Sequence, residues 1–400
     1  MDTGQAFDAV AKLLESSHLM TADQLPASVA EHAAHAGFRD TRIYLADVRQ
    51  EKLVRLSGSG ETLSVDTTLA GRAFRNAETV TVGRTPRTHT WTPLLDGTER
   101  LGVLRATTTT MDEAAATVLR ALAASVALMV VSKRPYSDTI VRLTRSRPLS
   151  VEAEIVTSML PPLTFATTDV VVAAVVEPAY DVGGDAIDYA VHEDILFLSI
   201  FDAMGHDLSA GLTATLATAT WRRCRRADAD LVTASGVIDR VIRDQFDRQR
   251  FVTGVLAWLD RRSGVLRWVN RGHPPPLLLR EGRRPAELRC PPAPPMGLGL
   301  GDAPIPCDIR LRAGDRVLFY TDGIVEARDE ADREFGLDRF ADFVIRHEAD
   351  GYSPPETLRR LMRSILRHQN DRLQDDATVM LLEWRGRREA RMVPTHPEEP

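Results

Sequence analysis

Four stretches of the sequence set an aspartate at the end of an apolar run or beside a tight glycine turn: "DVGGDAIDY", "IFDAMGHD", "LFYTDGIVEA" and "LQDDATVMLL". Asp185 follows two glycines, Asp202 ends an apolar run, Asp322 follows "RVLFYT" and precedes Gly323, and Asp375 with Asp376 directly precedes the last apolar segment. One aspartate in such a place is an ordinary turn former or helix cap. Four on one side of a sheet would repel each other and lose hydration unless a cation compensated them. Oxygen-only ligand sets suit hard divalent ions, magnesium or manganese, and two such ions activate water and screen charge on a phosphoryl group. The residues therefore predict a metal-dependent phosphate hydrolase. A side-chain nucleophile is not required: no serine lies in a G-x-S-x-G context, and Cys224 sits at a basic helix end. His206 and His273 read as structural side chains, since a hard all-oxygen site needs neither.

Holding these acids requires strands that stop where they stand. Strand patterns occur in "VVVAAVVE" (170–177), "ILFLSIF" (195–201), "TGVLAWLD" and "GVLRWVN" around the turn "RRSG", "RVLFY" (316–320) and "ATVMLLEW" (377–384). Helical spacing occurs in "SAGLTATLATATWRRC", "LVTASGVIDRVIRDQF" and "PPETLRRLMRSILRHQ". Strands and helices in blocks predict an α+β domain with sheets covered by helices. Upstream, residues 6–36 read as two amphipathic helices. "TRIYLADV", "KLVRLSG", "TWTPLLD" and "RLGVLRATT" read as strands, and 111–132 as a long closing helix. These divide the chain into an N-terminal α+β domain over 1–133, a helical linker over 134–162 punctuated by Pro135, Pro148, Pro161 and Pro162, a second domain over 163–385 and a disordered tail over 386–400. An apolar stripe in the linker, Leu149, Ile155, Val156, Met159 and Leu160, packs on its own domain or on a second copy.

Composition narrows the partners. The 400 residues are 44% hydrophobic and carry a net charge of −6, which gives no basic field for nucleic acid or an anionic membrane. The cluster Arg222, Arg223, Arg225 and Arg226 reads as a solvated helix end. The three cysteines, Cys224, Cys290 and Cys307, show no C-x-x-C spacing, so a disulfide framework is not expected and a reducing cytoplasm fits. The start, "MDTGQAFDAV", lacks signal-peptide character, and the greasiest stretch, 121–131, is shorter than a spanning helix requires.

Five pieces in order, "EPAYDVGGDAIDY", "FDAMGHDLSAGLTA", "VNRGHPPPLLL", "LFYTDGIVEARD" with "EFGLDRF", and "QDDATVMLL", resemble the PPM-type metal-dependent protein serine/threonine phosphatases, in particular the SpoIIE-like branch. The N-terminal order, with "LAGRAFRNAETVTV" and "LGVLRATT", resembles a GAF domain. The resemblance implies a β-sandwich flanked by helices with a binuclear Mn2+ or Mg2+ centre. Asp202 would bridge two ions, the Ala203 carbonyl would add a ligand, Asp185 would contact the metals, and Asp322 and Asp375 would complete the set. Asp376 ranks below its neighbour. The implied substrate is a phosphorylated anti-sigma-factor antagonist of the STAS type, with regulation by the N-terminal domain and homodimerisation through it or the linker. A non-catalytic regulator of the same fold is the alternative. Two letters depart from the family: Asp207 stands where glycine is usual, a turn whose left-handed backbone Asp tolerates, and Ala186 stands where an aromatic is common.

Overall fold

The computed structural model describes residues 3–57, 60–84, 87–177, 180–181, 183–281, 284–291, 293–301, 303–370, 373 and 375–386. The chain forms two compact units, Met1–Pro148 and Leu149–Pro400. The tail expected after residue 385 falls, beyond Gly386, outside the described residues.

In the first unit, helices α1 (Thr3–Ser16) and α2 (Leu25–His35) precede strands β1 (Arg39–Ala46), β2 (Lys52–Arg55) and β3 (Thr62–Ser64). Helix α3 (Leu69–Asn76), strands β4 (Val80–Arg84), β5 (Arg87–Asp96) and β6 (Glu99–Thr108), and helices α4 (Glu113–Lys133) and α5 (Asp138–Thr144) follow. The six strands make one antiparallel sheet in the order β3-β2-β1-β6-β5-β4. Side chains alternate across it, as the pleat requires. Ile43, Leu45, Leu104 and Ala106 join α1, α2 and α4 in one core, while Tyr44 and Val103 join Phe74 of α3 in another. Helix α4 corresponds to the long helix expected over 111–132, and the segment Glu113–Tyr136, unlike the stretch 121–131 alone, has the length and composition of a membrane span. Here Val118, Leu122, Val126 and Val130 are buried in the first unit's core.

The second unit opens with α6 (Val151–Met159) and strands β7 (Thr164–Ala166), β8 (Val170–Glu177), β9 (Asp185–His192) and β10 (Ile195–Ala203). Helices α7 (Leu208–Arg226) and α8 (Leu231–Phe246) lead to β11 (Val252–Asp260), β12 (Val265–Arg271), β13 (Leu277–Leu279), β14 (Ala286–Glu287), β15 (Cys307–Arg310) and β16 (Arg316–Tyr320). The short α9 (Asp322–Val325), α10 (Leu337–Ala349), α11 (Pro354–His368) and β17 (Ala377–Trp384) complete it. Two antiparallel sheets result, β15-β12-β11-β10-β9 and β14-β13-β16-β17-β8-β7. Strands of the second sheet are apolar on both faces because both faces are covered. Val170, Val172, Met380 and Leu382 enter the core shared with the first sheet, α7 and α8, whereas Ala173, Val379 and Leu381 enter the core under α10 and α11. The unit is an α+β sandwich flanked by helices.

Three sequence expectations change here. The stretch 134–162 is divided, with Ile140 of α5 in the first unit's core and Ala153 and Val156 of α6 in the second's. Cys290 and Cys307 form a disulfide with Cα atoms 6.0 Å apart, because the chain between them folds back, while Cys224 is free and buried. The arginines ending α7 are not simply solvated: Arg222 and Arg225 both pair with Asp188, a carboxylate only 1% exposed.

Candidate active site

Antiparallel pairing brings the predicted acids to one end of the sandwich. β10 leaves its sheet at Asp202 just where β9 enters, so Asp202 lies directly across from Asp185; such cross-strand partners share a face. In the other sheet β16 pairs antiparallel with β17, Tyr320 opposite Val379. The exit of β16, at Thr321 and Asp322, therefore lies beside the entry to β17, at Asp375 and Asp376. One carboxylate joins the two sheets at this end: Asp376 Oδ2 accepts the backbone N–H groups of Gly183 (2.9 Å), Gly184 (2.7 Å) and Asp185 (3.3 Å). The two glycines permit this approach, since a Cβ on Gly183 would stand 2.6 Å from the His206 backbone and one on Gly184 2.6 Å from the Ala203 oxygen.

Asp202, Asp322, Asp375 and Asp376 line one cavity of about 410 Å³, with Ala203 and His206 in its wall. Asp185 lies behind it, 1% exposed, and takes a 2.8 Å hydrogen bond from Thr321 Oγ1. Burial first, and then the charge of Asp202 and Asp376, pushes the Asp185 carboxyl well above its ordinary range. Burial, reinforced by Asp322, Asp375 and Asp376, pushes Asp202 up to about 7. Asp322 is raised by burial and then by Asp375. Asp376 is raised mainly by burial, against the opposing pull of the three N–H donors. Among the described residues, no salt bridge is formed by any of these five carboxylates.

This donor set matches a hard divalent cation in chemistry and charge. Among the described residues, no three His, Cys, Asp or Glu side chains are gathered to hold an ion as they stand. Ions of the magnesium class keep several waters and take only one or two carboxylates each, so a wide carboxylate-walled cavity fits them better than a closed protein cage.

The histidines and the unusual aspartate resolve differently from one another. His273 is buried and its Nδ1 lies 2.8 Å from Thr253 Oγ1; its backbone N–H donates to Asn270 Oδ1 at 2.9 Å. Burial drives its pKa down to about 3, so it is a neutral structural side chain supporting Thr253, a residue of the cavity wall. Asp207 needs no left-handed backbone, contrary to the sequence reading: its φ is −96°, and the left-handed residue of this turn is Gly205 at φ 88°. Asp207 caps α7, accepting the Ala210 N–H at 2.9 Å, and accepts a bond from Arg250 Nη2 at 2.8 Å. Burial raises the Cys224 thiol, in keeping with an unreactive core cysteine.

Thr321, Asp376 as a bridge between sheets, and Arg250 were not singled out from sequence. The doubled aspartate and the paired glycines were the only available signals for the bridge, since its three bonds span more than 190 residues.

Residues 192–385 match the sequence profile of the family Stage II sporulation protein E (SpoIIE). Among solved structures, the chain is similar to the RsbU and RsbW domains of Rv1364c from Mycobacterium tuberculosis, at 26% identity over 55% of this chain and 62% of that chain, with a TM-score of 0.47. It thus spans less than two thirds of that chain. It is also similar to the SiaA-PP2C domain of Pseudomonas aeruginosa, at 22% identity over 58% of this chain and 94% of that chain, TM-score 0.49. A third similarity is to the PP2C phosphatase domain and regulatory fragment of SpoIIE from Bacillus subtilis, at 18% identity over 59% and 76%, TM-score 0.44. The matched residues include Asp202, Asp322, Asp375 and Asp376, so the second unit of this chain carries a SpoIIE-family domain.

Proposed function

We propose that the second unit is a metal-dependent protein serine/threonine phosphatase. Its substrate class is a phosphorylated anti-sigma-factor antagonist of the STAS type, and the first unit is a GAF-like sensor that regulates it. The carrying observation is the convergence of four carboxylates on one cavity, with Asp185 behind them; the pKa values of Asp185 and Asp202 are raised first by burial and then by the charge of their neighbouring carboxylates. Asp202, the Ala203 carbonyl, Asp322, Asp375 and Asp185 would hold two Mn2+ or Mg2+ ions. When bound, such ions supply Lewis acidity toward a phosphoryl oxygen and an acidified water. The chain's own part is to keep the donors in register: Thr321 orients the Asp185 carboxylate, Asp376 fixes the 183–185 backbone, and His273 supports the wall at Thr253. A cytoplasmic location and a homodimer belong to the same reading.

With manganese, the purified protein is expected to hydrolyse a phosphoserine protein or an aryl phosphate, and Asp202→Ala to abolish both hydrolysis and manganese binding. Undiminished activity in that variant refutes the assignment. A wild-type protein that binds no manganese in calorimetry would point instead to a non-catalytic regulator. Regulation by the first unit predicts different turnover for the full chain and for residues 149–400, whose core is separate.

A further inference from the structure

A phosphoryl group entering this cavity meets four carboxylates, and no lysine or arginine is among the described residues that line it. Arg250 is outside that lining but touches two of its residues, Met204 and Gly205. Its Nη1 donates to the Met204 carbonyl at 3.2 Å, and a Cβ built on Gly205 would lie 3.6 Å from the same nitrogen. Met204, Gly205 and the next residue in sequence, Phe251, all line the cavity. The Arg250 Nη2 donates to Asp207 Oδ2 at 2.8 Å, in a pair whose side chains are 23% and 53% exposed. Ion pairs this open to water are weak and exchange readily. Asp207 is fixed independently, because its other oxygen caps α7, so the acid stays when the arginine leaves. A guanidinium presents a planar fork that matches two phosphate oxygens.

We propose that Arg250 is a specificity-determining residue that exchanges Asp207 for the phosphate of the phosphoserine or phosphothreonine substrate, Asp207 serving as its resting counter-ion. The exchange makes and breaks no covalent bond. It rests on the reading of the cavity as a phosphate-ester site.

The test uses the full chain with manganese, a phosphoserine peptide as substrate and inorganic phosphate as inhibitor. Arg250→Ala should raise both KM and the phosphate inhibition constant about tenfold, the loss of one charge-assisted contact. Its kcat should stay within about twofold and manganese affinity should be unchanged. Arg250→Lys should recover only part of the loss, because an ammonium lacks the fork. Asp207→Asn keeps the helix cap and should lower the phosphate inhibition constant by freeing the arginine. Unchanged KM and phosphate inhibition in Arg250→Ala would overturn the proposal. So would a fall in kcat and manganese binding at constant KM, which would make Arg250 a mere support for the 204–207 loop. A wild-type protein without hydrolysis would overturn the phosphatase reading instead, and phosphate calorimetry on wild type against Arg250→Ala would then decide the arginine's role separately.

Discussion

Replacing Asp376 by Ala and, separately, by Asn tests the bridge that joins the two sheets. The carboxylate is 6% exposed and one of its oxygens accepts three backbone N–H groups, from Gly183, Gly184 and Asp185. Both substitutions remove the negative charge, so relief of repulsion from Asp185 and Asp202 cancels between them. Only Asn keeps an oxygen for the donors. A buried N–H deprived of its acceptor costs about 1–3 kcal/mol; because the cavity beside Asp376 admits water, the lower value applies to each of the three. Asp376→Ala should therefore be about 3 kcal/mol less stable than Asp376→Asn, or about 6–12 °C lower in Tm for a unit of this size. Urea and thermal unfolding in EDTA at pH 8 measure the difference directly. Two variants that unfold within about 0.5 kcal/mol of each other would show that the bridge contributes nothing.

The pH dependence of the metal-free protein has a defined sign. Asp202, with a folded pKa raised from 3.8 to about 7, contributes stability that is fully present below pH 4 and lost as pH climbs through 7. In EDTA, Asp202→Asn should thus exceed wild type in stability at pH 8 and lose that advantage toward pH 4; the comparison cancels the opposite contribution of the buried neutral His273, and a variant less stable than wild type at pH 8 would contradict the electrostatics. Reducing the Cys290–Cys307 bridge, which spans 17 residues, should cost the second unit about 3 kcal/mol in urea unfolding, and an unchanged midpoint with and without reductant would count against it. Gly323→Ala places a Cβ 2.0 Å from the Asp376 carbonyl oxygen, so the backbone between Asp322 and Asp376 must shift. Manganese binding should weaken along with stability, and a calorimetric titration matching wild type would refute the constraint.

Much of the architecture could be read from local pattern. The runs at 170–177, 195–201, 316–320 and 377–384 became β8, β10, β16 and β17, because long apolar strands covered on both faces have a texture that few other elements share. Short strands such as β13, β14 and β15 carry too little periodicity to be read from local pattern. Strand β9 was missed because "DAIDYAVH" mixes buried and exposed positions without strict alternation.

The sequence by itself determined the kinds of group at the site, a set of aspartates each at a strand end, and therefore the class of ion they suit. Tertiary structure decided which of these groups meet. Antiparallel register set Asp185 across from Asp202, the sandwich brought Asp322 and Asp375 to the same cavity, and folding made Asp376 an acceptor for a backbone segment 191 residues or more away. It turned Asp207 into a helix cap and a counter-ion for Arg250, and it joined Cys290 to Cys307. The physical reason is common to all of these: residue type and local spacing fix chemistry and secondary structure, whereas pairing across sheets depends on contacts between segments whose separation along the chain carries no local signal.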